Sequence, residues 1–130
     1  MSEPAPALDA AIGLTLEHAS DGVAVLRLDP TPVAVAEIAG DIVLLHGGAL
    51  ATCVDSAAWY AADSVSPGAW VVSTLSLTFL RAARVEPHTV RATCRKAGRT
   101  LAVADVEIAA VSDPSRVVAL GRATLARAAG

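Results

Sequence analysis

Four residues in the middle of the chain have the types and the spacing for acyl chemistry. The segment HGGALATCVDSAAWYAA begins at His46, continues with Gly47 and Gly48, and carries Asp55 nine residues after the histidine. A glycine-rich helix start leaves backbone N–H groups free at the positive end of the helix dipole, where an oxyanion or a polarised carbonyl can bind. Asp55 follows about two and a half turns later on the same helix. A donor for developing negative charge and a base that activates water are the minimum needed to cleave an acyl bond.

The segment after His46 is predicted to be a helix that ends near Asp63 and has two distinct faces. At 100° per residue, one face is apolar and is expected to pack on a sheet: Leu50, Val54, Ala57 and Ala61. The opposite face is polar, with one large aromatic among its residues: Thr52, Asp55, Ser56, Asp63 and Trp59. From periodicity alone, Asp55 fits a solvated stripe as well as a catalytic site. An aromatic on a polar face is typical of an interface or a pocket wall.

Strand-like segments lie on both sides of this helix. Two precede it and four follow it, at residues 12–18, 23–29, 70–83, 88–97, 100–111 and 116–126. The segment between the second strand and the helix, residues 33–45, is less regular. This order predicts one α+β domain over residues 12–130, with the helix laid across an antiparallel sheet. Residues 1–11, which contain two prolines among small residues, are predicted to be a flexible N-terminus.

Composition restricts the partners and the compartment. The chain has 130 residues, the length of one domain, and its net charge of −3 and aromatic fraction of 3% argue against a nucleic-acid partner. No apolar run approaches the ~18 residues of a membrane span, and the N-terminus lacks the basic start of a secretory signal. We therefore expect a cytoplasmic protein with no membrane partner. An apolar fraction of 54% with only 18% charged residues favours self-association.

The sequence does not indicate metal or thiol chemistry. His18, His46 and His88 lie far apart along the chain, and Cys53 and Cys94 are too few and too distant to predict a zinc site or a disulfide framework. A nucleophilic pair of Cys53 and His46 is disfavoured, because about two helical turns separate the two residues. The GxSxG, P-loop, GxGxxG and HExxH motifs are also absent from the sequence.

Several of these segments resemble one known family. HGGALATCVDSAAWYAA is similar to the signature of the hotdog-fold acyl-CoA thioesterases of the phenylacetate-degradation type, within the 4-hydroxybenzoyl-CoA thioesterase-like superfamily. FLRAARV at residues 79–85 and RKAGRTLAVADVEI at residues 95–108 resemble the later strands of that family, in the same order. The resemblance covers the chain from about residue 12. It implies a hotdog fold, in which an antiparallel β-sheet is wrapped around one long central helix.

The resemblance also implies roles for particular residues. By it, Asp55 is the catalytic base or nucleophile, the Gly47 N–H polarises the thioester carbonyl, and His46 and Gly48 shape the turn at the helix start. Further contacts along the path of coenzyme A are implied for Arg81, Arg84, Lys96, Gly98, Arg99 and Thr100. The family often supplies a Ser or Thr from a strand of the neighbouring subunit; this chain has Val72 at that position, so the adjacent Ser73 or Thr74 is expected to line the site, and Trp59 to contact the acyl group. Coenzyme A enters as part of the substrate, and no separate cofactor is expected. The protein is expected to be a homodimer that pairs into a homotetramer.

Two departures from the family pattern leave alternatives open. Family members commonly carry an Asn six residues before the histidine and a Gly three before it, where this chain has Gly40 and Val43. Because that Asn helps to hold the substrate carbonyl or the water, one alternative is a non-catalytic acyl-CoA-binding protein. The other is an (R)-specific enoyl-CoA hydratase using Asp41 and His46, since GDIVLLH resembles its Gly-Asp-x-Asn-Pro-x-His motif. A hydratase leaves the Gly-Gly pair and Asp55 unexplained.

Overall fold

The predicted order of strands around one long helix is present in the structure. A computed structural model describes residues 6–128, and in this range the chain forms two α-helices and eight strands. In chain order these are α1 (Ala7–Ile12), β1 (Leu14–Ser20), β2 (Val23–Leu28), β3 (Val35–Ala39), β4 (Ile42–Leu45), α2 (Gly47–Val65), β5 (Trp70–Phe79), β6 (His88–Ala97), β7 (Leu101–Ala110) and β8 (Val117–Arg127). A short 3-10 turn over Pro32–Ala34 precedes β3. Neither described helix is long and apolar enough to cross a membrane.

Six of the strands form one antiparallel sheet that holds α2. The strand order is β1-β2-β6-β7-β8-β5, and β3 pairs with β4 as a separate hairpin. Every pair of neighbouring strands in the sheet is antiparallel. The helix packs against all six strands of the sheet. The prediction of an α+β hotdog fold, with an antiparallel sheet around one central helix, is therefore confirmed.

Small apolar side chains form the interface between α2 and the sheet. The predicted apolar face is buried as expected: Leu50 is 3% exposed and Val54, Ala57 and Ala61 are fully buried. In β8, Gly121 lies opposite the helix, where an added Cβ would be 2.8 Å from Cγ1 of Val54. Only glycine permits the helix to come this close to the strand. The sequence analysis missed this contact, although a glycine inside a strand often indicates close packing.

The segment before α2 is more regular than predicted. Residues 33–45 contain the hairpin of β3 and β4, which turns at Gly40 with a φ of 55°, a conformation that suits glycine. The strand pattern is hard to recognise because large apolar residues of the hairpin are exposed, among them Ile38 (60%) and Ile42 (54%). Alternation between apolar and polar residues is therefore missing from the sequence. The helix itself also continues to Val65, slightly beyond the predicted end near Asp63.

The beginning of the chain forms a helix where a flexible segment was predicted. That prediction covered residues 1–11 and is wrong for residues 7–11, which belong to α1; residues 1–5 lie outside the described residues. A six-residue helix is not stable alone, so tertiary contacts must hold it. Ile12 is 2% exposed, and Gly13 ends the helix with a φ of 91°. The Gly13 carbonyl then accepts a hydrogen bond of 2.9 Å from the Asp29 N–H, which fixes α1 to the chain after β2.

A histidine is completely buried at the beginning of β6. His88 is 0% exposed, its Nδ1 lies 2.7 Å from the Glu86 carbonyl oxygen, and its Nε2 has no hydrogen-bond partner among the described residues. Burial lowers the pKa of His88 below its usual value, because a charged imidazolium would lose its hydration. The histidine is therefore neutral in the folded protein.

This burial predicts a loss of stability in mild acid. The unfolded chain binds a proton at His88 near pH 6.5, whereas the folded chain binds it only at a lower pH, so the free energy of unfolding should fall by up to about 1.4 kcal/mol per pH unit below pH 6.5. Urea unfolding at several pH values between 7.5 and 5.5 measures the slope. His88→Leu should flatten it, and His18→Leu, at an exposed position, should not. Equal slopes in wild type and His88→Leu would contradict the prediction.

Candidate active site

The start of α2 is capped by the histidine that the sequence analysis singled out. His46 is the N-cap residue, and its Nδ1 accepts a hydrogen bond of 2.8 Å from the Gly48 N–H. A ring nitrogen that accepts is unprotonated, so a neutral His46 carries its proton on Nε2. Gly48 is required for this geometry, since an added Cβ would lie 2.9 Å from Nδ1 of His46. The prediction that His46 and Gly48 form the turn is consistent with these contacts.

The Gly47 N–H is the free donor at this helix start. Among residues 6–128, no oxygen accepts a hydrogen bond from it, whereas the neighbouring N–H groups of Gly48, Ala49 and Leu50 are bonded to His46. Gly47 also lies against the ring of Phe79 at the end of β5, because an added Cβ would be 3.3 Å from Cζ of that ring. Phe79 is 53% exposed. A polarising donor therefore lies beside an apolar wall that the sequence analysis did not assign to the site.

Asp55 lies on the exposed face of α2, with Val54 buried against the sheet immediately before it. Partial loss of hydration raises the pKa of Asp55 above its usual value, and the negative charge of Asp9 raises it further. A carboxylate with a raised pKa is a stronger base than an ordinary aspartate. Asp55 is thus an exposed carboxylate with a raised pKa.

Two groups of predicted coenzyme A contacts lie at opposite ends of one subunit. Arg81 and Arg84 are near the helix start, because the Leu45 N–H donates to the Ala83 carbonyl at 2.9 Å. The turn with Lys96, Gly98, Arg99 and Thr100 lies at the other end of β6, a strand of ten residues that spans about 33 Å. There Arg127 Nε donates to the Arg99 carbonyl at 3.3 Å, near the end of α2. A single chain therefore does not bring the two groups together.

The remaining predicted contacts have partners within the fold. Ser73 Oγ donates to the Thr124 carbonyl at 3.1 Å, at a bulge in β5. Thr74 is paired with Thr124, and the following pair, Leu75 and Ala123, is on the opposite face of the sheet, where Ala123 is buried. Thr74 thus faces away from α2. Trp59 Nε1 donates to the Trp70 carbonyl at 3.0 Å, so this ring joins α2 to the beginning of β5.

The residues of the hydratase alternative are not assembled in one chain. Asp41 lies in the turn between β3 and β4, whereas His46 follows β4 and caps α2. The four residues of β4 lie between them, so Asp41 and His46 are five steps of nearly extended chain apart, about 16 Å. No group of three or more possible metal ligands comes together in the part of the chain that the structure describes.

One family profile matches more than half of the chain. The family described as "Thioesterase superfamily" matches residues 44–117, a range that includes α2 and β5 to β7. No curated protein matches the chain by sequence.

Solved structures share both the fold and its extent. The E. coli PaaI protein from the phenylacetic acid degradation operon is 29% identical, with a TM-score of 0.82 over 97% of this chain and 87% of that chain. A mutant of the phenylacetic acid degradation protein PaaI from Thermus thermophilus is 25% identical, with a TM-score of 0.77 over 92% and 97%. A hypothetical thioesterase from Streptococcus pneumoniae, solved with coenzyme A, has the same fold at 23% identity, with a TM-score of 0.79 over 92% and 89%.

Proposed function

The chain belongs to the thioesterase superfamily, and we propose that it hydrolyses acyl-CoA thioesters with Asp55 as the base or the nucleophile. The observation that carries this proposal is the unbonded Gly47 N–H at a capped helix start, on the same helix as a carboxylate of raised pKa. The donor stabilises negative charge on the carbonyl oxygen, and the carboxylate supplies the base.

The chemistry has two balanced routes. In the first, Asp55 removes a proton from water as the water attacks the thioester carbon, and the oxyanion is held by the Gly47 N–H. The intermediate then collapses, the C–S bond breaks, and the proton on Asp55 passes to the departing thiolate. In the second, the Asp55 carboxylate attacks the carbon itself and expels the thiolate, and water then hydrolyses the resulting anhydride. Both routes produce a free acid and coenzyme A.

The spacing along α2 favours a site that two subunits share. Asp55 lies eight residues after Gly47, a rise of about 12 Å along the helix axis, and the N–H groups of the first turn point away from the rest of the helix. A reacting carbonyl must lie within about 3 Å of its donor and within reach of the base. The two groups of one chain are too far apart for this. We infer a homodimer in which Gly47 of one protomer works with the partner's Asp55.

The edge of the sheet offers the surface for such a dimer. β5 is an outer strand, so one side of its backbone is unpaired within residues 6–128. Its apolar side chains are unusually exposed, with Val71 at 54% and Phe79 at 53%. Antiparallel pairing of two β5 strands about a twofold axis covers these residues and extends the sheet across both protomers. The exposed apolar hairpin of β3 and β4 favours a further pairing of dimers into a homotetramer.

The same arrangement accounts for the basic residues. A twofold axis at β5 turns the partner's β6–β7 turn toward the end of the molecule where Arg81 and Arg84 lie. The basic side chains of Lys96 and Arg99 then approach one substrate from the partner, and guanidinium and ammonium groups suit the phosphates of coenzyme A. The PaaI relatives belong by their names to phenylacetic acid degradation, so an aryl acyl group is the first one to test.

The test is thiol release from a panel of short, medium, long and aryl acyl-CoA esters, followed with a chromogenic disulfide. We expect turnover on at least one class of ester, and sedimentation velocity on the same preparation should show a dimer or tetramer. Esters that bind without any turnover would instead favour the acyl-CoA-binding alternative. Hydration of an enoyl-CoA that depends on Asp41 would favour the hydratase.

A further inference from the structure

A second carboxylate is buried next to the Asp55 face of α2. Asp9 of α1 is only 3% exposed, and its Oδ1 accepts a hydrogen bond of 2.7 Å from Ser56 Oγ. Ser56 directly follows Asp55 in α2. Within residues 6–128, the ion pairs are formed by other carboxylates, those of Asp29 and Asp105. Asp9 is therefore a buried acid held by a hydroxyl group and not by a cation.

The hydrogen bond to Ser56 does not by itself require a charge at this position. The amide oxygen of an asparagine would accept the same hydrogen bond from Ser56 and would avoid the cost of burying an ionised group. The rest of α1 is already fixed by the burial of Ile12 and by the bond from Asp29 to Gly13. The charge of Asp9 then has two uses: it suits the first turn of α1, where the helix dipole favours an acid, and it acts on the neighbouring groups of α2.

Burial raises the pKa of Asp9 above its usual value, and the hydrogen bond from Ser56 lowers it in part. When Asp9 is ionised, its charge acts on the polar face of α2. The ionisable groups that feel it are Asp55, Tyr60 and Cys53, all on α2 and all neutral or negative. No basic side chain on α1 or α2 offsets this charge, since the sequence of neither helix contains one. Of the three groups, Asp55 is the one that is exposed to a substrate. Asp9 is thus a buried acid that lies behind Asp55, the exposed acid on α2.

We propose that Asp9 is a positioning residue for Asp55: bound through Ser56, it holds α1 against α2 and keeps a second negative charge beside the base. This rests on the proposed function of Asp55. A negative neighbour makes Asp55 bind its proton more tightly, so that it accepts a proton from water more readily. The N-terminal helix would then belong to the active site, although it contributes no contact to the substrate.

The first experiment compares Asp9→Asn with wild type across pH. The amide retains the bond to Ser56 and removes the charge, so the acidic limb of the kcat/KM profile for thioester hydrolysis should move to lower pH. Asp63→Asn is the matched control, because it removes a carboxylate from α2, the helix that carries Asp55, and leaves Asp9 unchanged. Asp63→Asn should leave the acidic limb of the kcat/KM profile at the wild-type pH. An unchanged profile in Asp9→Asn, with Asp55 still essential, would overturn the inference and leave the proposed function intact.

A second experiment needs neither a variant nor turnover. In wild-type protein labelled with ¹³C at aspartate carboxyl carbons, the resonance of Asp55 should titrate in two steps, and one of them should coincide with the titration of Asp9, because interacting acids titrate together. A single step for Asp55, independent of Asp9, would overturn the inference. If the titrations are coupled but no acyl-CoA ester is hydrolysed, the pair stands and the proposed function fails.

Discussion

Replacement of Asp55 by asparagine should lower kcat for thioester hydrolysis by roughly 10²–10⁴-fold, the usual contribution of a general base. Asparagine has nearly the same size, but it neither accepts a proton from water nor attacks the thioester. Since the side chain is exposed and makes no hydrogen bond to another side chain among the described residues, the fold should be preserved. Thiol release measures the rate, and circular dichroism with thermal unfolding checks the fold.

Two comparisons make this result specific. Asp41→Ala removes the acid on which a hydratase would depend, and it should leave thioester hydrolysis unchanged. Binding of a non-hydrolysable acyl-CoA analogue, measured by calorimetry, should survive in Asp55→Asn, because the carboxylate is not needed to hold the phosphates. A fully active Asp55→Asn protein would refute the assignment of the base.

Removal of the Gly47 donor should have the second large effect. Proline at position 47 deletes the N–H but suits the first position of a helix, so Gly47→Pro should lower kcat by roughly 10²–10³-fold, as the loss of one oxyanion donor does. Gly47→Ala is the matched control: it retains the N–H and adds the same first carbon against Phe79. Alanine should therefore lose little of the rate. Equal losses in both variants would show that crowding against Phe79, and not the donor, is responsible.

A mixed dimer of the two inactive chains tests whether one active site is shared between two subunits. In a dimer of one Asp55→Asn chain and one Gly47→Pro chain, one site has both its Gly47 and its Asp55 intact, and the other has neither. Co-expression with two affinity tags isolates this mixed dimer, and thiol release should recover to about half of the wild-type rate per dimer, since one site of two is whole. If each chain uses its own pair, every site in the mixed dimer is defective and no activity returns.

Short-range patterns in the sequence were sufficient for the central helix. The spacing of Leu50, Val54 and Ala57 predicted which face is buried, and the Gly-Gly step after His46 predicted the helix start. These features depend on neighbours within a few residues. The family resemblance then supplied the roles of Gly47 and Asp55, which remain predictions until kinetics are measured.

Features that depend on distant contacts were missed. Asp9 was assigned to a flexible terminus, yet the Ala-rich run ending at Gly13 has the form of a helix with a glycine cap. Its bond to Ser56 joins residues 47 positions apart, which no local pattern reveals. The separation of Arg84 from Arg99 could have been predicted, because Arg84 lies just before the ten-residue strand β6 and Arg99 lies just after it. That conclusion was available from the predicted strand order.

The contact between Gly121 and Val54 affects how accurately the Asp55 side chain is positioned. Val54 is the residue immediately before the proposed base, and its side chain lies so close to Gly121 of β8 that there is no room for one more carbon. This close packing restricts movement of the helix relative to the sheet. The Cα atom of Asp55 therefore keeps a fixed distance from the sheet. Displacement of a reacting group by 1 Å can cost about a hundredfold in rate. Gly121, which takes no part in the proposed reaction, thus limits how far the Asp55 carboxylate can be displaced.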